Sequence, residues 1–384
     1  MTPSRHFRLN TRAFTAFLIV GLVMIAVAGT IVIGVGQGRL RTSFGEHLSQ
    51  VADHGAAVVD SYVYRRIIDA SILARVPVIR AATAEASLVA FDPAASRALD
   101  QLWESGQALP PAAAGLLTSA PSAFLADVVK NDPIYREILV ADRFGRLAAA
   151  SARTSDYLQS DEEWWKDAHG DGTHGRLSAG DVRWDESAKA FAIEIAVPVA
   201  QPGSESLAGV LKVVADVREI GAVMGGIRLG STGDAVLLRE DASIVFSQRL
   251  TDPNARFFAP DLLRERLQAM KQGQLTGPLH FGARTADGQA RIVGMAPCLI
   301  RTSYPQLAWI VAVSQAESEL FAPIRAQGLS LVLVLALTAL AVLAFAFWFS
   351  VRLAAPSAVE DLHLVEHPSV RAVGDAAEEG QSAR

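Results

Sequence analysis

Two long segments without a charged residue set the strongest limit on how this chain can fold. Residues 14–36 and 328–351 contain no Asp, Glu, Lys or Arg. A helix needs about 20 apolar residues to cross the hydrocarbon layer of a membrane, and each segment is long enough to do so. A cleaved signal peptide is the alternative for the first segment, but its apolar stretch exceeds the usual length of about 7–15 residues. We therefore expect two transmembrane helices.

The basic residues before the first segment predict its orientation. Arg5, Arg8 and Arg12 precede it with no acidic residue among them, and an excess of Lys and Arg marks the cytoplasmic side of a span. We expect a multi-pass protein of the inner (plasma) membrane. Its predicted order is a cytoplasmic N-terminus, a span, an extracytoplasmic domain, a second span and a short disordered cytoplasmic tail, at residues 1–13, 14–36, 37–327, 328–351 and 352–384.

Charge and motif content argue against several classes of protein. The 35 basic and 40 acidic residues give a formal net charge of −5, which argues against a nucleic-acid partner. The single cysteine, Cys298, excludes a cysteine-based zinc cluster. The sequence contains no H-E-x-x-H motif, no G-x-S-x-G motif and no phosphate-binding loop. We therefore expect no enzyme activity, no cofactor and no metal site.

The segment after the first span has the periodicity of a long helix, predicted over residues 39–76. Its apolar residues recur at spacings of three and four, which is the pattern of a helical stripe. The stripe has two interpretations, a seam between two copies in a homodimer or a face packed against the chain's own sheet, and the two are compatible at different heights of the helix. Its members are Leu40, Phe44, Leu48, Val51, Gly55, Val58 and Tyr62.

Two similar blocks of strands follow, about a hundred residues apart. Residues 191–199 and 290–298 each predict a strand with a proline near its end, where a missing donor is tolerated. A mostly apolar strand follows each of them, at residues 207–216 and 307–314. The same order in both blocks predicts two related modules in tandem. We place them at about residues 77–225 and 226–320.

The chain here resembles the double Cache (dCache) extracytoplasmic sensor domains of bacterial chemoreceptors and sensor kinases. The resemblance covers roughly residues 39–320 and rests on the long helix and on the segments 142–145, 157–165, 196–199 and 207–210. It implies an α+β fold, in which two PAS-like antiparallel-sheet modules are stacked on the long helix. It also implies a small ligand bound in the membrane-distal module.

The resemblance further implies a set of ligand-binding residues. In the amino-acid-binding members, an Arg two positions before a Trp-Tyr pair holds the ligand carboxylate, and an Asp on a later strand holds the ammonium group. Here Glu162 stands at the Arg position, Trp164 resembles the Trp, and Trp165 replaces the Tyr. Trp184 and Asp185 resemble a Tyr and an Asp of the next strand, and Asp216 resembles the last Asp.

Replacing Arg by Glu changes the expected ligand. A carboxylate at this position repels an anionic group that a guanidinium would bind, whereas aromatic faces with carboxylates suit a cation. We therefore expect an amine rather than an α-amino acid, although Arg183 keeps the amino-acid alternative open. Packing in the core is the alternative for the tryptophans, and a first helical turn is the alternative for Glu162 and Glu163. The candidate ligand-binding residues are Tyr157, Glu162, Trp164, Trp165, Trp184, Asp185 and Asp216.

Together these features predict a membrane-anchored sensor that binds a small amine or amino-acid-like ligand. The tail of residues 352–384 is too short for a kinase, a cyclase or a methyl-accepting hairpin. We therefore expect the signal to pass to a separate partner, unless the chain is a shortened receptor. The alternative function is a scaffold of the cell envelope that uses the modules for assembly without sensing a ligand.

Overall fold

The computed structural model describes residues 11–185, 189–247, 260–272, 279–284 and 288–353. The described residues within Gln37–Arg325 form one compact unit, and those within Met1–Gly36 and Ala326–Arg384 form the other. The predicted cytoplasmic tail lies outside the described residues from position 354 onward, and so do the first ten residues.

Three described stretches are long and apolar enough to cross a membrane: Phe14–Leu73, Pro111–Asn131 and Leu333–Arg352. The first and third belong to helices α1 (Thr11–Leu73) and α10 (Ala322–Leu353) and overlap the predicted spans. The second stretch is divided into two helices inside the globular unit, because Ser119 caps the N-terminus of the second. Leu125 on that helix is completely buried in the core of the unit.

The first module of the globular unit contains short helices and one antiparallel sheet. The helices are α2 (Pro77–Leu88), α3 (Pro93–Glu104), α4 (Pro111–Leu117), α5 (Ala120–Asn131) and α6 (Glu163–His169). The strands are β1 (Tyr135–Asp142), β2 (Leu147–Ala150), β3 (Ser178–Ala179), β4 (Arg183–Asp185), β5 (Ala190–Ala200) and β6 (Leu207–Asp216). Their order in the sheet is β2-β1-β6-β5-β3, and β4 also pairs with β5.

The second module contains a five-stranded antiparallel sheet in the order β8-β7-β11-β10-β9. Its strands are β7 (Asp234–Arg239), β8 (Ile244–Ser247), β9 (Leu279–Arg284), β10 (Ala290–Pro297) and β11 (Trp309–Ala316). Its helices are α7 (Arg218–Gly226), α8 (Pro260–Lys271) and α9 (Glu317–Leu320), with 3-10 turns at Leu299–Thr302 and Pro305–Leu307. The α+β class, the long helix and the two antiparallel sheets predicted from the sequence are confirmed.

One face of α1 is buried against both sheets. The buried apolar positions recur every three or four residues, as expected of a helix with one face in a core. Of the two interpretations of the stripe, packing on the chain's own sheets is therefore the one that the structure shows. Of these buried positions, Leu48 belongs to the predicted stripe, and the others lie next to its members or beyond its end. They are Leu48, Ala52, Ala56, Val59, Val63, Ile67 and Ala70.

Polar contacts fix the height of α1 relative to each sheet. In the second module, the Ser49 hydroxyl donates to the Leu279 carbonyl oxygen at 2.7 Å, and the Asp60 carboxylate accepts from the backbone N–H groups of Leu299 and Ile300. In the first module, the Tyr62 hydroxyl donates to the carbonyl oxygen of Asp216 at 2.6 Å. A shift along the helix axis would break contacts to both modules.

A glycine allows α1 to approach the second sheet closely. A Cβ atom built on Gly294 of β10 would lie 2.2 Å from the backbone nitrogen of Ser49. The backbone atoms of α1 leave no room for that carbon, so either the helix or the strand would have to move.

We predict that Gly294→Ala lowers the free energy of unfolding by about 1–3 kcal/mol, the usual cost of overpacking a core. Thermal unfolding of the detergent-solubilised protein, followed by tryptophan fluorescence, measures the change. The control is Gly115→Ala in α4, where a Cβ would meet no atom within 4 Å. Equal stability of the two variants would contradict the close approach.

Candidate functional site

A buried group of charged side chains lies on one face of the first sheet. Lys212 stands in the middle of β6, opposite Leu139 of β1 and Ala196 of β5. Because side chains alternate between the two faces of a strand, the positions two residues away on the neighbouring strands share its face. Those positions are occupied by Glu137 of β1 and Glu194 of β5.

Lys212 is ion-paired although it is almost completely removed from solvent. Its Nζ lies 2.7 Å from an Oε of Glu194, and both Lys212 and Glu137 are only 8% exposed. Burial, the largest influence, lowers the pKa of Lys212, but the carboxylates of Glu194 and Glu137 outweigh it, so the pKa is raised above its usual value. The ammonium group is therefore charged, and the charge is held by its neighbours.

Two tryptophans of α6 contribute to the same side of the sheet. Trp164 and Trp165 are 6% and 8% exposed, and the Trp164 ring centroid is 5.4 Å from the Lys212 Nζ, within range of a cation–π contact. Trp165 stacks on His169 one turn later, with ring centroids 4.2 Å apart. The local sequence explains this helix: its apolar residues face the sheet and Glu162, before the first turn, stays at the surface.

The indole N–H groups of both tryptophans are buried without a hydrogen-bond acceptor in the described part of the chain. Other buried tryptophans of the protein are satisfied. Trp103 donates to the Thr154 carbonyl oxygen at 2.9 Å, and Trp309 donates to a carboxylate oxygen of Asp181 at 2.8 Å. Most buried polar groups of native proteins are paired. Unpaired buried side-chain atoms also occur in Arg66, Arg266, Arg301 and Ser350, but here two unpaired donors belong to consecutive residues.

Further carboxylates give the surroundings of Lys212 an excess of negative charge. The negative charge of Asp185 also acts on Lys212. Partial burial, together with the negative charge of Asp156, raises the pKa of Glu162. Asp156, Asp161 and Glu162 each place one oxygen within 4.8 Å of the others. Exposed carboxylates often meet in this way without a metal ion, and here they add to the negative charge around the site.

The structure brings only some of the predicted site residues together. Trp164 contacts Lys212, Trp165 packs in the same hydrophobic cluster as Trp164, and the charges of Glu162 and Asp185 interact electrostatically with that of Lys212. Tyr157 packs on Trp103, with ring centroids 5.8 Å apart, in the same hydrophobic cluster as the two tryptophans of α6.

Two other predicted residues have different surroundings. Trp184 is 46% exposed on β4, at the edge of the sheet, and packs against Phe191. Asp216 lies at the end of β6, where Nε and Nη2 of Arg136 donate to one of its oxygens at 2.8 and 2.5 Å. Arg218 approaches the same oxygen at 2.8 Å, so the structure pairs this carboxylate within the chain.

The sequence analysis missed the charged residues at the centre of the site. Glu194 and Lys212 lie within the strands predicted at residues 191–199 and 207–216, but they were not singled out, and neither was Glu137. Glu194 is the one charged residue of β5, and Lys212 interrupts the apolar middle of β6, which is buried at all ten positions. A charged residue in such a strand requires a partner on the same face, and that signal could have indicated the pair.

Comparison with known proteins gives similar structures but no match by sequence. Neither a protein-family model nor a curated protein matches the chain. The ligand-binding domain of the Pseudomonas aeruginosa PAO1 amino acid chemoreceptor PctB, solved with L-Arg, is 15% identical. That match covers 75% of this chain and 93% of that chain, with a TM-score of 0.44.

Two other chemoreceptor domains give similar values. That of Pseudomonas fluorescens CtaA, solved with L-isoleucine, is 14% identical and covers 75% of this chain and 98% of that chain, with a TM-score of 0.46. That of Pseudomonas aeruginosa PAO1 PctC, solved with GABA, is 16% identical and covers 71% and 99%, with a TM-score of 0.43. All three are ligand-binding domains of chemoreceptors.

We predict that Lys212→Met destabilises the protein by about 3 kcal/mol at neutral pH, the lower end of the usual cost of breaking a buried ion pair, because it leaves buried carboxylates without their cation. Lowering the pH should restore part of this loss, since protonation neutralises those carboxylates and the folded variant then binds more protons than the unfolded chain. Urea unfolding at pH 7.5 and at pH 5 measures both effects. The control is Lys130→Met on the exposed end of α5. A loss for Lys212→Met that is no larger than the control's would contradict the buried ion pair.

Proposed function

We propose that this chain is a membrane-anchored sensor whose first module binds an amino-acid-like ligand beside Lys212. The observation that supports the proposal most strongly is the pair of unpaired indole N–H groups of Trp164 and Trp165. Leaving a donor buried without an acceptor costs about 1–3 kcal/mol. A ligand that supplies acceptor oxygens would remove that cost on binding, and the site would bind it for that reason.

The charges around the two indoles determine which ligand fits. A carboxylate oxygen of an amino acid can accept from either indole N–H group, and its negative charge is complementary to the Lys212 ammonium, which lies 5.4 Å from the Trp164 ring centroid. Its own ammonium group can lie among the carboxylates of Glu137, Glu162 and Asp185, whose charges exceed that of Lys212. Such a zwitterion is complementary to both signs of charge.

This assignment refines the ligand expected from the sequence. The Glu at position 162 indicated a simple amine, because it removes the guanidinium that would hold a carboxylate. Lys212 supplies a cation from β6 instead, within 5.4 Å of the Trp164 ring centroid. Lys212 therefore neutralises part of the negative charge of the surrounding carboxylates. A ligand that carries both a positive and a negative charge then fits better than a cation alone.

The membrane part of the proposal consists of two spans, one in the first part of α1 and the other in α10. The stretches Phe14–Leu73 and Leu333–Arg352 have the required length and composition, whereas α5 packs into the first module. We propose that residues 37–327 are extracytoplasmic and that ligand binding is signalled through α1, which is continuous from Thr11 to Leu73. The separate signalling partner stays a prediction.

The proposal includes a homodimer through the long helix. It is supported by Ile68 and Ile72, which are 57% and 60% exposed on one side of α1.

The alternative function, a scaffold of the cell envelope, would need no ligand, and it would leave the two buried indoles without a role.

We predict that at least one L-amino acid raises the unfolding temperature of the full-length protein in lipid nanodiscs, in a panel that also contains amines and carboxylates. Trp164→Phe and Trp165→Phe should each weaken that binding about tenfold or more, the effect of losing one hydrogen bond to a charged group. Calorimetric titration of each variant measures the affinity. The control, Trp103→Phe, removes an indole that is already paired, so it should reduce stability without changing affinity.

The panel also tests the scaffold alternative. Absence of binding by every compound would favour the scaffold. Binding with the same affinity in Trp164→Phe, Trp165→Phe and the parent protein would place the ligand elsewhere.

A further inference from the structure

A cavity lies between the two sheets, and its walls come from both modules. Its volume is about 620 Å³, within the range of sites that bind small organic molecules. The first module contributes residues of β1, β5 and β6, including Arg136, Phe191 and Asp216. The second module contributes the end of β7 and the strand β8, including Arg239 and Phe246.

The charged residues that line this cavity are mostly cationic. Among the described residues, Arg136, Lys189, Arg218 and Arg239 line it together with one carboxylate, that of Asp216. This excess is local, because the chain as a whole carries a formal net charge of −5.

The internal ion pairs neutralise only part of this positive charge. Asp216 is 3% exposed and is shared by Arg136 and Arg218. Asp181 forms an ion pair with Arg239. Lys189 has no ion pair within the described part of the chain, and Arg218 remains 69% exposed despite its contact with Asp216. The excess cations repel one another unless an anion enters.

The rest of the lining is apolar, which restricts the anion further. Phe191 is 51% exposed, and Ile244, Val245 and Phe246 of β8 also line the cavity. An inorganic anion would leave this surface exposed to water, whereas an organic acid with an apolar body would cover it and gain the free energy of that burial. We propose that the cavity is a second binding site, for a small carboxylate with an apolar or aromatic body.

This site is separate from the one beside Lys212. Lys212 and Asp216 are four residues apart on the same strand, a distance of roughly 13 Å at the usual rise per residue. Negative charge is in excess around Lys212, whereas positive charge is in excess around Asp216. The second site therefore does not depend on the proposed amino-acid site, and each can fail without the other.

A ligand in the cavity would contact both modules, which already share polar contacts on this side. Asp181, from the first module, accepts hydrogen bonds from Arg239 and from the indole of Trp309 in the second. Arg239 also donates to the Val182 carbonyl oxygen at 3.0 Å. A bound carboxylate would add bridges between the modules and stabilise their present arrangement.

The test uses benzoate and 3-phenylpropanoate as probes, with their uncharged primary amides for comparison, on the full-length protein in nanodiscs. Calorimetric titration should show saturable binding of at least one acid. Its amide should bind at least about tenfold more weakly, because the amide cannot form charge-assisted hydrogen bonds. Added salt should weaken the binding of the acid. Equal binding of acid and amide, or no binding of either acid, would overturn the proposal.

Variants locate the binding. The double variant Arg218→Gln with Lys189→Gln should bind the acid at least about tenfold more weakly, whereas Arg176→Gln should bind it normally. Arg176 is a matched control, because its side chain is 68% exposed and paired with Asp167 outside the cavity. Trp165→Phe should also bind the acid normally. Loss of binding in Trp165→Phe with normal binding in the double variant would overturn the proposal and assign the acid to the other site. If the double variant unfolds, the comparison of acid with amide on the parent protein still decides.

Discussion

The buried face of α1 is the contact on which both modules depend. Its apolar stripe packs into one hydrophobic core that also contains residues of both sheets. Polar contacts fix its position at several heights, at Ser49, Asp60 and Tyr62. Arg66 adds a hydrogen bond to the Tyr135 hydroxyl at 3.1 Å, and that hydroxyl donates to Asp69 at 3.0 Å. Burial raises the pKa of Tyr135 to about 12, so this hydroxyl keeps its proton and remains a donor.

The strand β6 connects this helix to both candidate binding sites. The backbone carbonyl oxygen of its last residue, Asp216, accepts a hydrogen bond from the Tyr62 hydroxyl, and the Asp216 carboxylate forms an ion pair with Arg136. Lys212, four residues earlier, forms the buried pair with Glu194. A ligand at either site would contact or lie beside β6, a strand that is hydrogen-bonded to α1 through Asp216 and Tyr62. The helix α1 also contains the first apolar stretch. This connection gives the proposed sensor a physical route from a ligand to the helix.

Periodicity and composition predicted the architecture, because they depend on many residues at once. The long helix, the tandem sheets and both apolar segments follow from patterns that single substitutions do not alter. The site was predicted less completely, because it depends on which side chains face each other across strands. Lys212 and Glu194 are 18 positions apart in the sequence, and only the register of β5 with β6 brings them together. For the same reason, the pairing of Asp216 with Arg136 and the exposure of Trp184 did not follow from the sequence.

The central claim is that the indole N–H groups of Trp164 and Trp165 bind a ligand. The most direct measurement is the indole region of a ¹⁵N–¹H NMR spectrum, assigned with single Trp→Phe variants among the six tryptophans. Saturation with an amino acid from the panel should shift the indole signals of Trp164 and Trp165 downfield, as expected for a new hydrogen bond, and leave those of Trp103 and Trp309 in place. Unchanged Trp164 and Trp165 signals at saturation would contradict the account.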